Sequence, residues 1–157
     1  MAGESDRGFT YDYPRPALTV DAVLVTREAV PRILLIRRKK DPFAGSWAFP
    51  GGFVDANERL ADAVRRELRE ETGYAGENAR LLGQIHPNPA IQSNTCFTVL
   101  VEDCELKHPV EFDSGEDILT RLVPLEDVPK LVAQGRIAHS LVVVALHHLD
   151  LRLRGLN

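Results

Sequence analysis

The segment from Glu58 to Thr72 restricts the fold more than any other part of the chain. At about 100° per residue its aliphatic side chains form a single stripe, which is typical of a helix that packs on a core. Acidic residues share that side of the helix, because Glu67 and Glu71 fall within the stripe and Glu70 lies at its edge. Clustered carboxylates next to apolar neighbours repel one another and resist burial, so a cation must compensate them.

A helix of this kind needs a core to pack on, and the composition supplies one. The chain has 157 residues, of which 44% are hydrophobic, so we expect a single domain over residues 1–157. The formal net charge of -4 gives no electrostatic footprint for duplex nucleic acid, and we expect no nucleic-acid partner. The cluster from Arg37 to Lys40 is a local exception, which either a charged strand end in water or a phosphate contact explains.

Two further features predict a cytoplasmic protein. Cys96 and Cys104 lie in an apolar segment, and the chain opens without a charged and then apolar leader, which is typical of a protein kept reduced. The longest purely apolar run, from Leu141 to Leu146, is much shorter than the roughly 20 residues that span a bilayer. We therefore expect no membrane partner.

The first third of the chain predicts strands and a long loop. Residues Met1 to Pro16 are polar and bounded by proline, which predicts an extended arm. Two strands follow over residues 17–26 and 32–38, and the short link between them predicts a hairpin. The stretch from Lys39 to Asn57 is rich in proline and glycine, so we predict a functional loop without regular structure.

The order of the later elements indicates a mixed α/β fold. Gly73 supplies the left-handed residue that commonly ends a helix. Beyond it, apolar patterns predict strands over residues 79–85, 94–106 and 116–125, and helices over residues 125–135 and 139–151. Strands on both sides of one helix, with further helices at the end, are typical of a mixed α/β domain. The chain contains neither G-x-G-x-x-G nor G-x-x-x-x-G-K-[ST], the two familiar nucleotide fingerprints.

The stretch from Gly52 to Tyr74 resembles the Nudix box, G-x5-E-x7-R-E-U-x-E-E-x-G-U, where U is apolar. Every fixed position of that pattern is met. Asn57 stands where many members have glycine, and asparagine tolerates a left-handed backbone. The resemblance implies a Nudix-type α/β/α sandwich with a mixed β-sheet. The matching residues are Gly52, Glu58, Arg66, Glu67, Leu68, Glu70, Glu71, Gly73 and, at the last apolar position, Tyr74.

The resemblance also assigns a role to the clustered acids. Glu67, Glu70 and Glu71 look like the carboxylates that hold Mg2+, with Mn2+ as the alternative ion, because both ions prefer oxygen ligands. The backbone carbonyl of Gly52 would reach the same ion, since a glycine lets the backbone approach closely. The alternative, a solvated acidic patch on a surface helix, is disfavoured by the complete motif.

Arg66 and Glu58 form a second group within the box. They lie about two helical turns apart, so an ion pair between them would brace the preceding loop against the helix. We therefore place Arg66 in the catalytic group and expect its role to be structural.

The general base is expected outside the box, because relatives that cleave nucleoside diphosphate sugars often carry it on a loop before a late strand. Residues 111–125 contain an acidic loop of that kind. We choose Glu116 over Asp117 and Glu111, with Glu70 as the next candidate, and the alternative for Glu116 is a solvated loop acid.

The resemblance implies hydrolysis of a pyrophosphate bond by water. Pro89 stands near a position after the box that marks members acting on ADP-ribose and related nucleoside diphosphate sugars, and Arg38 resembles a position that touches substrate. We therefore expect Mg2+-dependent cleavage to a nucleoside monophosphate and a sugar phosphate, in a homodimer. Two alternatives stay open: a nucleoside triphosphate pyrophosphatase acting on modified nucleotides, and a non-catalytic sensor of a nucleotide ligand.

Overall fold

The computed structural model of the protein describes residues 17–39, 44–111 and 118–156. The predicted arm at residues 1–16 and two candidates for the general base, Glu116 and Asp117, lie outside the described residues. The prediction of one domain over the full chain therefore stays a prediction.

The described chain contains nine strands and three helices. The strands are β1 (Leu18–Val23), β2 (Arg32–Arg38), β3 (Trp47–Ala48), β4 (Gly51–Phe53), β5 (Tyr74–Ala75), β6 (Asn78–Ile85), β7 (Thr95–Glu102), β8 (Glu105–Leu106) and β9 (Ile118–Pro124). The helices are α1 (Leu60–Thr72), α2 (Val128–Ala133) and α3 (Ser140–Leu153), with a 3-10 turn at Leu125–Asp127 before α2. The predicted helix around the acids, the strands after it and the final helices are thereby confirmed.

The strands form three sheets within the described residues. The largest has the order β4-β1-β7-β6, and it is mixed because β1 runs parallel to β7 while its other pairs are antiparallel. The second has the order β3-β2-β9, and β5 pairs with β8 in the third. The expected mixed α/β class is therefore confirmed.

The predicted hairpin between the first two strands is confirmed only next to its link, where the residues after β1 pair with the start of β2. β1 and β2 approach each other only beyond the end of β1, where Val25 forms an isolated antiparallel bridge with Ile33. The two strands then enter different sheets, β1 beside β4 and β7, and β2 beside β3 and β9. Since both strands are buried along most of their length, each needs partners on both edges, which a two-stranded hairpin does not provide.

The predicted absence of regular structure between Lys39 and Asn57 is also wrong in part. The short strands β3 and β4 lie in this stretch, each paired along one edge. Two residues in β3 and three in β4 are too few to show an apolar alternation, so pairing with longer strands decides their structure. Asn57 does adopt the expected left-handed backbone, with φ of 66°.

Helix α1 packs on one apolar cluster and ends as its sequence predicts. Ala63, Val64 and Leu68 are fully buried, and they pack with Val20 and other side chains of β1 and β7. Gly73 has φ of 74°, and its amide donates to the carbonyl of Arg69, which closes the helix.

The layers around the four-stranded sheet follow the alternation of its strands. One face carries Val20 and Ala22 toward α1, whereas the other carries Val23 and Leu100 toward α3. The described part of the chain is thus an α/β/α sandwich with α1 and α3 on opposite faces. No helix in the described ranges is long and apolar enough to cross a membrane.

Candidate functional site

The acidic helix meets the four-stranded sheet at Gly51 and Gly52, the first two residues of β4, which follow a bend at Pro50. We call this pair of residues the glycine turn. The amide of Gly51 donates a hydrogen bond of 2.9 Å to Oε2 of Glu71. Glu71 is 6% exposed, so its carboxylate lies inside the protein at the edge strand β4. The backbone amide therefore offsets part of the cost of burying this acid.

Gly52 lies directly against the carboxylate of Glu67. A Cβ atom at this position would lie 2.5 Å from Oε1 of Glu67 and 2.8 Å from Oε2, which is closer than atoms can approach. Only glycine leaves this space to the carboxylate. The glycine turn and two acids of α1 thus form one compact group of oxygen atoms.

Arg66 braces the loop before α1, as the sequence analysis predicts. Its Nε donates to Oε1 of Glu58 at 2.9 Å, and its Nη2 donates to Oε2 of the same carboxylate at 3.0 Å. Nη2 also donates to the carbonyl of Phe53 at 3.0 Å. These hydrogen bonds lower the pKa of Glu58 and raise that of Arg66. The predicted ion pair is confirmed, and it ties β4 and its turn to the middle of α1.

The same guanidinium also faces the acidic cluster. Nη1 of Arg66 lies 2.8 Å from Oε1 of Glu67 and 3.6 Å from Oε2 of Glu70. Glu70 has a second partner, because Nη2 of Arg69 lies 3.0 Å from its Oε1. Arginine therefore supplies part of the positive charge that the sequence pattern required.

The group suits a divalent ion by its chemistry, because its donors are carboxylate oxygens beside an open glycine backbone. Among the described residues, however, no set of three or more histidine, cysteine, aspartate or glutamate side chains is spaced to hold a metal. Two of these carboxylates have partners, because Glu67 is engaged by Arg66 and Glu71 accepts the amide of Gly51.

The segment predicted to carry the base has one described residue at each end, and each of them contacts a predicted site residue. Its amino end is Glu111, whose amide donates to the carbonyl of Glu70 at 2.9 Å. Its carboxyl end is Ile118, which pairs with Arg38 at the end of β2. The described residues on either side of residues 112–117 thus lie beside Glu70 and Arg38, and Glu116 itself lies outside the described residues.

Two other predicted residues lie at the surface. Arg38 is exposed, and its backbone pairs with the turn at Ser46 and Gly45. Pro89 is exposed between β6 and β7. Neither has a side-chain contact that joins it to the glycine turn, so their assignment to substrate stays a prediction.

The neighbouring aromatic residues are packing residues. Trp47 and Phe49 are 2% and 3% exposed and belong to the core below α3. The guanidinium of Arg37 lies 5.8 Å from the centre of the Trp47 ring, so part of the basic cluster covers this core.

Asp21 is a functional candidate that the sequence analysis did not select. Its carboxyl faces away from α1, beside Gly51, and accepts a hydrogen bond from Sγ of Cys96 at 3.5 Å. Burial raises the pKa of Asp21, and the Cys96 hydrogen bond and the charge of His139 oppose that rise only in part. The signal was visible in the sequence, because Asp21 is the one charge within the apolar strand LTVDAV.

A mixed α/β sandwich that carries two carboxylates of one helix to a pair of adjacent glycines defines the class of protein. The sequence model of the NUDIX domain matches residues 15–142. The chain belongs to the Nudix family.

Individual relatives agree with this membership. The chain is 46% identical over 77 residues to an ADP-ribose pyrophosphatase of Methanocaldococcus jannaschii, which covers 49% of this chain and 43% of that protein. It is 30% identical over 129 residues to the CMP-5'-(N-acetyl-N-hydroxy-3-aminopropyl)phosphonate hydrolase of Streptomyces rubellomurinus, which covers 80% of this chain and 61% of that protein. The chain thus spans less than two thirds of the length of either relative.

A solved structure shows the same architecture. The NUDIX domain of Shewanella oneidensis NrtR, crystallised with ADP ribose, superposes with a TM-score of 0.68 and 26% identity. The match covers 91% of this chain and 94% of that one. The fold described above is therefore that of a NUDIX domain.

Proposed function

We propose that this protein hydrolyses the pyrophosphate bond of ADP-ribose or a related nucleoside diphosphate sugar with the help of Mg2+. The observation that carries the proposal is the contact of Glu67 and Glu71 with the glycine turn, with Glu70 near the same guanidinium as Glu67, in a member of the Nudix family. The substrate class is supported by the names of relatives, since one is an ADP-ribose pyrophosphatase and another was crystallised with ADP ribose.

The residues divide the work between holding the ion and handling the substrate. Glu67, Glu70, Glu71 and the carbonyl of Gly52 would hold Mg2+, with Mn2+ as the alternative. When bound, the ion neutralises phosphate charge and lowers the pKa of the attacking water. Arg66 keeps the glycine turn and the helix in register through Glu58, so it acts as a positioning residue.

The proton and the substrate are assigned to residues on the loop and on β2. Glu116 accepts the proton from the water that attacks phosphorus, the bridging P–O bond breaks, and the departing phosphate keeps the bridging oxygen. Arg38 binds the phosphates through its charge, and the turn that carries Pro89 contacts the terminal sugar. The position of the loop ends supports this assignment, because Glu111 lies against Glu70 and Ile118 lies beside Arg38.

A product-resolved screen tests the proposal. The purified protein is incubated with ADP-ribose, other nucleoside diphosphate sugars, dinucleotides and nucleoside triphosphates, each with Mg2+ and each with chelator. We expect AMP and ribose 5-phosphate from ADP-ribose, and no turnover in chelator. Inorganic pyrophosphate from a triphosphate at an equal or higher specificity constant would transfer the assignment to a nucleoside triphosphate pyrophosphatase. Ligand binding without any turnover would identify a sensor instead.

The assembly and location of the protein are separate proposals. We expect a homodimer by analogy with the family, and light scattering on the purified protein measures its mass directly. We also expect a cytoplasmic location, which fractionation of the source cells would test.

A further inference from the structure

The guanidinium of Arg66 makes two kinds of contact with opposite edges. Nε and Nη2 hold Glu58 at 2.9 and 3.0 Å, which fixes the loop. Nη1 points the other way, to Oε1 of Glu67 at 2.8 Å and toward Oε2 of Glu70 at 3.6 Å. One side chain therefore serves a structural pair and two acids of the candidate metal site at the same time.

The contacts to the acids are partly shielded from water. The side chains of Arg66, Glu67 and Glu70 are 28%, 14% and 30% exposed, so their charges interact more strongly than a fully solvated pair would. Among the described residues, no group of three or more histidine, cysteine, aspartate or glutamate side chains is spaced to hold a metal. The guanidinium of Arg66 already lies beside the acids to which a metal ion would have to bind.

We propose that Arg66 is the internal counter-ion of the metal-free site, and that a divalent ion displaces Nη1 from Glu67 and Glu70 while the pair with Glu58 persists. The inference rests on the proposed metal requirement and goes beyond it. Arg66 then lowers the apparent affinity for metal, and in return it stabilises the metal-free protein against repulsion among its own acids.

Thermodynamic linkage separates this role from simple bracing. If Arg66 compensates the acids only in the metal-free state, removing its charge destabilises that state more than the metal-bound state, and the metal must bind more tightly. If Arg66 only braces the loop, its removal destabilises both states equally or misplaces the ligands. Metal affinity would then stay unchanged or fall.

The test is Mn2+ binding without substrate, measured from the electron paramagnetic resonance signal of free Mn2+. For Arg66→Gln we expect binding tighter than wild type by about three- to tenfold. Arg65→Gln is the matched charge control, because Arg65 lies on the same helix and pairs with Asp62 at 3.2 Å rather than with the acids of the site. It should change Mn2+ affinity by less than about twofold.

A second control and a measurement on the wild type complete the test. Glu58→Gln removes the brace but leaves Nη1 near Glu67, so Mn2+ affinity should be unchanged or lower. Side-chain NMR of arginine during a Mg2+ titration needs no variant: the Nη1 protons of Arg66 should lose their protected signals, whereas the Nε proton keeps its signal. This measurement decides the question even if Arg66→Gln fails to fold.

Each outcome has a distinct meaning. Tighter Mn2+ binding by Arg66→Gln alone, or selective loss of the Nη1 signals, supports the inference. If the wild-type protein binds Mn2+ and Arg66→Gln binds it equally or more weakly, the inference is overturned and the proposed function stays intact. The same holds if Mg2+ does not alter the Nη1 signal of Arg66. A wild-type protein that binds no Mn2+ overturns both.

Discussion

The carboxylate of Glu71 is held by the amide of Gly51 at 2.9 Å, across the junction between a helix and the edge strand of a sheet. This hydrogen bond fixes a buried acid without using a side-chain cation. Gly51, which holds Glu71, is adjacent in the chain to Gly52, and the backbone of Gly52 lies against the carboxylate of Glu67. The geometry of the acidic site therefore depends on two adjacent glycines, and its predicted behaviour follows from that dependence.

Neutralising an acid should abolish activity and leave the fold intact. Glu70→Gln and Glu71→Gln keep the size of the side chain, and glutamine at position 71 can still accept from Gly51. We expect Mg2+-dependent hydrolysis to fall by at least about 100-fold. The melting temperature in chelator should stay level or rise, because like charges repel less. Wild-type turnover in chelator, or full activity of both variants, would contradict this assignment.

The two glycines should respond differently to alanine. At Gly52 the new Cβ meets the flexible end of Glu67, so Gly52→Ala should lose activity with little loss of stability. At Gly51 the Cβ would lie 2.1 Å from the carbonyl oxygen of Val20, which is backbone and cannot move aside. Gly51→Ala should therefore lose about 1–3 kcal/mol of stability.

Thermal melting in chelator and steady-state rates with Mg2+ measure the two effects separately. Each variant serves as the control for the other, since both add one methyl group to the same turn. A large stability loss in Gly52→Ala with normal specific activity of the folded fraction would refute the contact with Glu67.

Asp21 should make stability depend on pH. Because burial raises the pKa of this carboxyl, its charged form is the unfavourable one in the folded protein. The destabilising effect of the ionised Asp21 carboxylate is absent below the ordinary aspartate pKa of about 4. It grows as pH rises through the raised pKa of Asp21 in the folded protein. Asp21→Asn should therefore raise the melting temperature at pH 7 by roughly 2–4 °C and bring a smaller gain at pH 4.

The control for this variant is Asp62→Asn, which neutralises an exposed acid paired with Arg65 at 3.2 Å. It should lower the melting temperature slightly or leave it unchanged. A gain for Asp21→Asn that is independent of pH, or a loss at pH 7, would mean that the charge of Asp21 is compensated in the folded protein.

Glu116 should affect turnover and leave metal binding intact. A general base contributes about 10²- to 10⁴-fold in rate, so Glu116→Gln should lower kcat by that factor with little change in KM. Glu111→Gln is the matched control, since Glu111 is exposed near the start of the same loop and contacts α1 through its backbone amide. A loss in kcat of less than about fivefold would exclude Glu116, and Asp117 and Glu70 would be tested next.

Local patterns predicted the helix, its end and its acids because these depend on residues close in sequence. The stripe that contains Glu67 and Glu71, the cap at Gly73 and the pair of Arg66 with Glu58 all follow from spacing within the short segment from Glu58 to Gly73. Such features need no knowledge of the rest of the chain.

Features that depend on distant partners were not predicted. An apolar strand reads the same in a hairpin and between two sheets, so the separation of β1 from β2 is visible only in their pairing. The hydrogen bond from Gly51 to Glu71 likewise joins residues separated by a loop and a helix. The contact of Arg66 with Glu67 escaped prediction because neighbours in a helix normally diverge.

The position of β4 also bears on how this scaffold changes over evolution. The strand has three residues, lies at the edge of its sheet and contributes no side chain to either apolar cluster. The loops that surround the site can therefore accept substitutions and insertions while the buried layers keep their sequence. Selection for a new substrate would act on these surface loops, where substitutions have little effect on whether the chain folds.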